Sequence, residues 1–147
     1  MFRSIVVGTD GSDTAGTAVE QAIELARPLG ATLHIVTAFQ PVSEDRLARE
    51  AAQMPKDLQW MLNPREQVDA TLQQAAAAAD GTGLKVETYA RQGDPADALL
   101  DVAEERDADL IIVGNKGMTG AKRFLLGSVP NKVSHHAPCS VLIIRTT

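Results

Sequence analysis

Short apolar runs alternate with stretches of helical periodicity along this chain. Runs rich in β-branched and other apolar residues predict strands at Ser4–Gly8, Thr32–Ala38, Leu84–Arg91, Asp109–Val113 and Cys139–Arg145. Helical spacing or helix-start residues predict helices after a cap at Ser12 or Asp13, over residues 65–79, from Asp94-Pro95 onward, and over Ser128–His136. Residues 39–63 are broken by prolines and predict a mobile loop with some helix. Strands that alternate with helices predict an α/β fold, with a parallel sheet covered on both faces.

Composition limits the classes of function. A chain of 147 residues is expected to form one domain, here residues 1–147. Its net charge of −5 argues against a general nucleic-acid binder, which needs a basic surface. No apolar run approaches the length that spans a membrane. The lone Cys139 permits no intramolecular disulfide, which fits a reducing compartment. We therefore expect a cytoplasmic protein without nucleic-acid or membrane partners.

A glycine motif follows the fourth predicted strand. Gly114, Gly117 and Gly127-Ser128 are spaced as Gly-x2-Gly-x9-Gly-Ser, and a helix is predicted to begin near Ser128. Glycines let the backbone approach an anion, and the first N–H groups of a helix point at it. Lys116 would add positive charge. The alternative is a plain strand-to-helix connection that uses glycine for positive φ. The spacing matches neither a Walker loop nor a dinucleotide fingerprint.

The turn after the first predicted strand offers a second group of candidates. Asp10 can accept a hydrogen bond from a ribose hydroxyl or a base amine, or it can simply cap the following helix. Gly8 leaves space either for a ligand or for tight helix–strand packing. If the first and fourth strands are neighbours, Asp10 and the glycine motif face one crevice at the carboxyl ends of the strands.

Other reactive residues give weaker signals. His34 lies within an apolar strand and is predicted to be a core residue with satisfied hydrogen bonds. His135 and His136 are adjacent in a helix, so they point about 100° apart and do not suit a shared metal. Cys139 is predicted to be an inert core thiol. No catalytic residue, metal site or obligatory cofactor is predicted.

Four segments in order resemble the universal stress protein family. They are Ser4–Ser12, Asp109–Gly114, the Gly-x2-Gly-x9-Gly-Ser motif, and His136–Arg145. The resemblance covers nearly the whole chain except the region from Phe39 to Asn63. It implies a doubly wound, five-stranded parallel sheet in the order 3-2-1-4-5. It also implies a homodimer formed through the last strand, Ser140–Arg145, which would cover an exposed β-branched edge.

The resemblance further implies an adenine-nucleotide site. Asp10 would contact the ribose or adenine, the backbone near Ala38 would meet the adenine edge, and backbone N–H groups of the motif would hold phosphate. The residues that this implied site comprises are Gly8, Thr9, Asp10, Ala38, Val113, Gly114, Asn115, Lys116, Gly117, Gly127, Ser128 and Val129.

The chain departs from the family pattern at two positions. Position 8 often carries a larger residue, and position 130 often carries Ser or Thr, whereas this chain has Gly8 and Pro130. Because proline has no N–H, one phosphate donor is missing. We therefore expect cyclic AMP to bind at least as well as ATP, with Mg²⁺ possible alongside ATP. The function expected is that of a regulatory or nucleotide-buffering protein. The alternatives are a slow, self-phosphorylating ATPase and a structural dimer module that binds nothing.

Overall fold

The computed structural model describes residues 1–40, 43–62, 64–115 and 126–146. The strands are β1 (Ser4–Gly8), β2 (Thr32–Phe39), β3 (Val86–Gln92), β4 (Leu110–Gly114) and β5 (Ser140–Ile144). The α-helices are α1 (Asp13–Leu29), α2 (Glu44–Ala51), α3 (Pro64–Ala77), α4 (Pro95–Glu105) and α5 (Ser128–His136), and a 3-10 helix covers Lys56–Leu62. No described helix is long and apolar enough to cross a membrane.

The strands form one parallel sheet in the order β3-β2-β1-β4-β5. This confirms the predicted fold class and strand order. β1 lies at the centre and pairs with β2 on one side and with β4 on the other. The strand order therefore reverses beside β1, and the carboxyl ends of β1 and β4 diverge into a crevice there. Open sheets of this kind bind ligands at such a point.

Two apolar layers, one on each face of the sheet, hold the helices in place. Ile5 and Val7 of β1 belong to the cluster that includes α1 and α3, whereas Val6 belongs to the cluster that includes α4 and α5. All three side chains are fully buried. Successive side chains of a strand point to opposite faces, so a continuous apolar run is what a strand covered on both faces requires.

The ends of the helices follow local sequence rules. The Ser12 hydroxyl accepts from the amide of Ala15 and caps α1, and the Asp94 carboxylate accepts from the amide of Asp97 and caps α4. Gly30 ends α1 with a left-handed φ of 62°. The predicted cap at Ser12 and the predicted helix start at Asp94-Pro95 are confirmed.

The structure shifts some predicted boundaries. Residues 39–63 hold more helix than the expected loop, since α2 and the 3-10 helix occupy much of the described part. The third strand begins at Val86, two residues later than predicted. The reason lies in the preceding turn, where Gly83 has a φ of 75° and the Thr82 hydroxyl accepts from the amide of Leu84. Leu84 therefore belongs to the turn.

Candidate functional site

A cavity of about 280 Å³ opens at the carboxyl ends of β1, β2 and β4, beside the amino ends of α4 and α5. Its size is close to the lower end of the range typical of small-molecule sites, roughly 300–1,000 Å³. The lining residues come from all these elements and from the start of α1: Gly8, Thr9, Asp10, Thr14, Ala15, Val36, Ala38, Pro95, Leu99, Val113, Gly114, Ser128, Val129 and Pro130.

Most of the residues that the sequence grouped into one site lie together in this cavity. The structure brings together the predicted residues Gly8, Thr9, Asp10, Ala38, Val113, Gly114, Ser128 and Val129. Asn115 and Gly127 contact each other instead, because the amide of Gly127 donates to the carbonyl of Asn115 at 3.0 Å. The predicted Lys116 and Gly117 lie outside the described residues.

Further lining residues were not part of the predicted site. Thr14 and Ala15 lie in the first turn of α1, Val36 precedes Ala38 by two positions, and Pro95 and Leu99 belong to α4. Of these five residues, only Val36 could have been predicted from the sequence, because residues two apart in a strand share a face and Ala38 was already assigned to the site. The approach of α4 to the end of β1 is a tertiary contact.

The position of Gly8 is compatible with both alternatives that the sequence left open. It lines the cavity, and a Cβ atom at position 8 would lie 3.1 Å from Cδ2 of Leu99. Such a contact is tighter than ordinary van der Waals packing, so Leu99 would have to move. The absence of a side chain at Gly8 therefore lets α4 approach β1 closely and fixes where Leu99 stands in the cavity wall.

The turn after β1 is held by its own hydrogen bonds. The amide of Thr9 donates to the carbonyl of Val36, and the Thr37 hydroxyl donates to the carbonyl of Thr9. Asp10 is exposed, and its Oδ1 accepts from the amide of Ser12 at 2.8 Å. Asp10 therefore does not cap α1, whose cap is Ser12, but holds the turn before the helix. It also stands at the cavity wall.

The backbone of Ala38 faces the cavity without a partner from β1. Successive residues of β2 direct their backbone groups alternately toward β1 and toward β3. The carbonyl of Val36 points toward β1, because it accepts from the amide of Thr9. The amide and carbonyl of Ala38, two residues on, must point the same way. The strand pairing of β1 ends at Gly8, opposite Val36. One donor and one acceptor of Ala38 therefore meet the open crevice.

The amino end of α5 presents the other polar groups. Gly127 caps the helix without a side-chain hydrogen bond, and its own amide is used by Asn115. In an α-helix, the N–H groups of the first turn have no intrahelical acceptor. Ser128 and Val129 carry such groups, whereas Pro130 has none. Two backbone donors and the helix dipole thus face this end of the cavity.

An ion-pair cluster joins the two helices that flank the cavity. Nζ of Lys132 on α5 lies 2.8 Å from Oδ1 of Asp97 and 3.3 Å from Oδ2 of Asp94 on α4. The hydrogen bond to Asp97 raises the pKa of Lys132. The amide of Asp97 lowers the pKa of Asp94, and Lys132 lowers it further. The cluster holds the starts of α4 and α5 side by side.

His34 belongs to a separate network at the opposite end of the sheet. Its side chain is buried, Nδ1 lies 2.8 Å from the Tyr89 hydroxyl, and Nε2 lies 3.1 Å from the Ser4 hydroxyl. Burial lowers the pKa of His34, outweighing the nearby Glu87 carboxylate, while Arg106 lowers it further. Burial also raises the pKa of Tyr89 to about 12. The predicted role of His34 as a satisfied core residue is confirmed.

Two further groups offer no reactive site. Cys139 is partly buried, packs against the α4–α5 layer, and has a raised pKa because of that burial, as expected of an inert thiol. Within the described ranges, no cluster of three or more His, Cys, Asp and Glu residues is placed to hold a metal ion.

The sequence that forms this sheet, turn and glycine motif matches a known protein family. The model of the universal stress protein family matches residues 1–145. The chain belongs to the universal stress protein family. A universal stress protein of Mycobacterium tuberculosis is 40% identical over 147 residues, which cover 99% of this chain and 98% of that protein.

Solved structures of the family share the fold. A universal stress protein in complex with cAMP is 34% identical, covers 99% of this chain and 98% of its own, and has a TM-score of 0.73. The universal stress protein from Archaeoglobus fulgidus in complex with dAMP is 25% identical, covers 98% of both chains, and has a TM-score of 0.69. Both of these related structures contain a bound adenine nucleotide.

Proposed function

We propose that this universal stress protein binds an adenine nucleotide, cyclic AMP or ATP, in the cavity at the ends of β1, β2 and β4. It would act as a regulatory or nucleotide-buffering protein of the cytoplasm. The observation that carries the proposal is the division of the cavity into two ends. One end has apolar walls and the backbone groups of Ala38, which have no partner in β1, and the other has the N–H donors of α5.

The end near Ala38 fits an adenine base. Adenine carries an amine donor next to a ring-nitrogen acceptor, and Ala38 offers a carbonyl and an amide on the same side of β2. Val36 and Leu99 supply apolar walls for the flat faces of the base. Asp10, at the wall between the two ends, is an exposed carboxylate that can accept from ribose hydroxyl groups.

The end near α5 fits one phosphate better than three. Among the described residues, the amides of Ser128 and Val129 and the Ser128 hydroxyl give three donors, while Pro130 replaces a possible fourth. Cyclic AMP carries a single phosphate and needs few donors. We therefore propose that cyclic AMP binds at least as tightly as ATP.

Calorimetry with cyclic AMP, ATP, adenosine and GTP tests the proposal, together with mass spectrometry of nucleotide that co-purifies with the protein. A Gly114→Glu variant tests the location of the site, because it places a bulky carboxylate in the cavity wall at the carboxyl end of β4. We expect it to lose binding and keep the fold. Tight binding of ATP without detectable cyclic AMP binding would contradict the preference, and no nucleotide binding at all would contradict the proposed function.

A slow ATPase has less support. Asp10 is the sole carboxylate among the described lining residues, and its Oδ1 already accepts from the amide of Ser12. Phosphoryl transfer requires a residue that positions the attacking group and acidic ligands for Mg²⁺. Release of phosphate from ATP, measured at high protein concentration, would show turnover if it occurs.

We also propose that the protein forms a homodimer through β5. Leu142 and Ile143 are each 38% exposed on this edge strand. The carbonyl of Ile144 points toward β4, because it accepts from Asn115, so the backbone groups of Val141 and Ile143 point outward. The opposite edge, β3, instead carries charged Glu87 and Arg91, which discourage strand pairing.

A proline substitution separates edge pairing from folding. Ile143→Pro removes an outward N–H without removing a bond to β4, and proline is tolerated on edge strands. Ile143→Val is the matched control, because it keeps the amide. Sedimentation velocity should show a dimer for the parent chain and the Val variant, and a monomer for the Pro variant. A dimer in all three would exclude this edge.

A further inference from the structure

Asn115 lies where three segments of the chain meet. Its amide donates to the carbonyl of Ile144 in β5 at 2.9 Å, and its carbonyl accepts from the amide of Gly127 at 3.0 Å. Its side-chain Oδ1 accepts twice from Thr146, from the amide at 2.8 Å and from the hydroxyl at 3.1 Å. Asn115 therefore ties the end of β4 both to the segment after β5 and to the cap of α5.

These bonds bear directly on the direction of α5. Gly127 gives α5 no side-chain cap, and the bond from its amide to Asn115 ties the start of the helix to the end of β4. The preceding Gly114 pairs with Ile144 at the end of β4. The bonds of Asn115 to Ile144 and Thr146 continue this attachment to β5, and we infer that they set the direction of the Asn115 carbonyl.

We propose that Asn115 is a positioning residue for the phosphate end of the cavity, acting through Gly127 and held by Thr146. The inference rests on the proposed nucleotide function. It gives Asn115 a role different from the direct nucleotide contact that the sequence predicts, because its side-chain oxygen is already occupied by two donors. It also links the α5 donors to the segment that follows the edge strand β5.

The inference predicts a loss of affinity that is confined to ligands with a phosphate group. If Asn115 aims the N–H groups of Ser128 and Val129, then removing its side chain weakens binding of cyclic AMP but not of adenosine, which lacks phosphate. For Asn115→Ala we expect about a tenfold loss of cyclic AMP affinity, the order of magnitude of one or two hydrogen bonds. Adenosine affinity should change by less than about twofold.

Variants at Thr146 separate positioning from direct contact. Thr146→Val removes the hydroxyl donor and keeps the amide, so it should weaken cyclic AMP by about threefold, a fraction of a hydrogen bond. Thr146→Ser keeps both donors and should bind like the parent chain. If Asn115→Ala weakens cyclic AMP while Thr146→Val changes nothing, Asn115 contacts the ligand directly and the inference is wrong. Equal losses for cyclic AMP and adenosine would indicate a general structural role and would also overturn it.

Amide hydrogen exchange in the ligand-free protein tests the same mechanism without nucleotide. The Gly127 amide should exchange faster in Asn115→Ala and in Thr146→Val than in Thr146→Ser or the parent chain. If the parent chain binds no nucleotide, the proposed function fails by itself, and this exchange then decides whether Asn115 and Thr146 hold α5. Unchanged exchange at Gly127 would overturn the inference even if nucleotide binds.

Discussion

Replacing Ser128 by proline tests whether a backbone N–H group holds the phosphate. Ser128 is the first residue of α5, the helical position where proline is best tolerated because its missing N–H has no intrahelical acceptor. The preceding Gly127 has φ −62° and ψ 166°, an extended conformation compatible with a following proline. Ser128→Pro thus removes one donor facing the cavity without breaking a bond within the helix.

The expected magnitude follows from the type of bond that is lost. A hydrogen bond to a charged group contributes about 1.5–3 kcal/mol, which corresponds to about a 10- to 150-fold change in affinity. Proline also removes the Ser128 hydroxyl, so Ser128→Ala is the matched control. The difference between the two variants isolates the N–H group. Where proline fits the native backbone, it adds about 0.4–1 kcal/mol of stability, so the melting temperature should hold or rise.

Titration calorimetry with cyclic AMP and adenosine measures the effect. Ser128→Pro should bind cyclic AMP at least tenfold more weakly than Ser128→Ala, a factor that corresponds to about 1.4 kcal/mol, and both variants should bind adenosine equally. If the two variants bind cyclic AMP with the same affinity while melting like the parent chain, the amino end of α5 does not hold the phosphate.

Three other changes test separate parts of the structure. Pro130→Ala introduces an N–H donor in the first turn of α5 and should raise the affinity for cyclic AMP several-fold. It should also lower the melting temperature of the free protein, because the new donor has no intrahelical acceptor. Unchanged affinity in calorimetry would contradict the placement of the phosphate at the start of α5. Gly8→Ala should weaken the binding of adenosine and of cyclic AMP alike, since the new Cβ narrows the cavity and forces Leu99 in its wall to move. Binding of both ligands equal to that of the parent chain would contradict this. The lowered pKa of His34 means that the fold favours its neutral form, so its contribution to stability is complete above the ordinary value of 6.5 and is lost as pH falls below it. Urea unfolding between pH 7.5 and 5 should show this loss of stability. In His34→Gln the free energy of unfolding should depend less on pH, and the same pH dependence in both proteins would show that other groups cause the loss.

The sequence predicted the fold closely where local rules decide the structure. Apolar runs such as Ser4–Gly8 are β-branched and short, which is how a strand buried on both faces reads. Ser12, Gly30 and Asp94 end or begin helices through their own side chains or backbone freedom. The resemblance to the universal stress proteins supplied the strand order, which local patterns alone did not determine. The boundary at Val86 was missed because a hydroxyl two residues upstream of Leu84 extended the turn.

The same distinction between local sequence rules and tertiary packing applies to the candidate site. Its glycines and its aspartate are visible in the sequence, because they follow the strands whose carboxyl ends meet. The sequence could not show that α4 sets Leu99 against Gly8, or that β1 ends before it can pair with Ala38, since both depend on where distant segments end beside each other. Nor could it show that Thr146 occupies the side chain of Asn115. The sequence by itself thus determined which residue types reach the crevice, whereas the tertiary structure decided which of their donors and acceptors remain free to bind, because that depends on the partners that packing supplies.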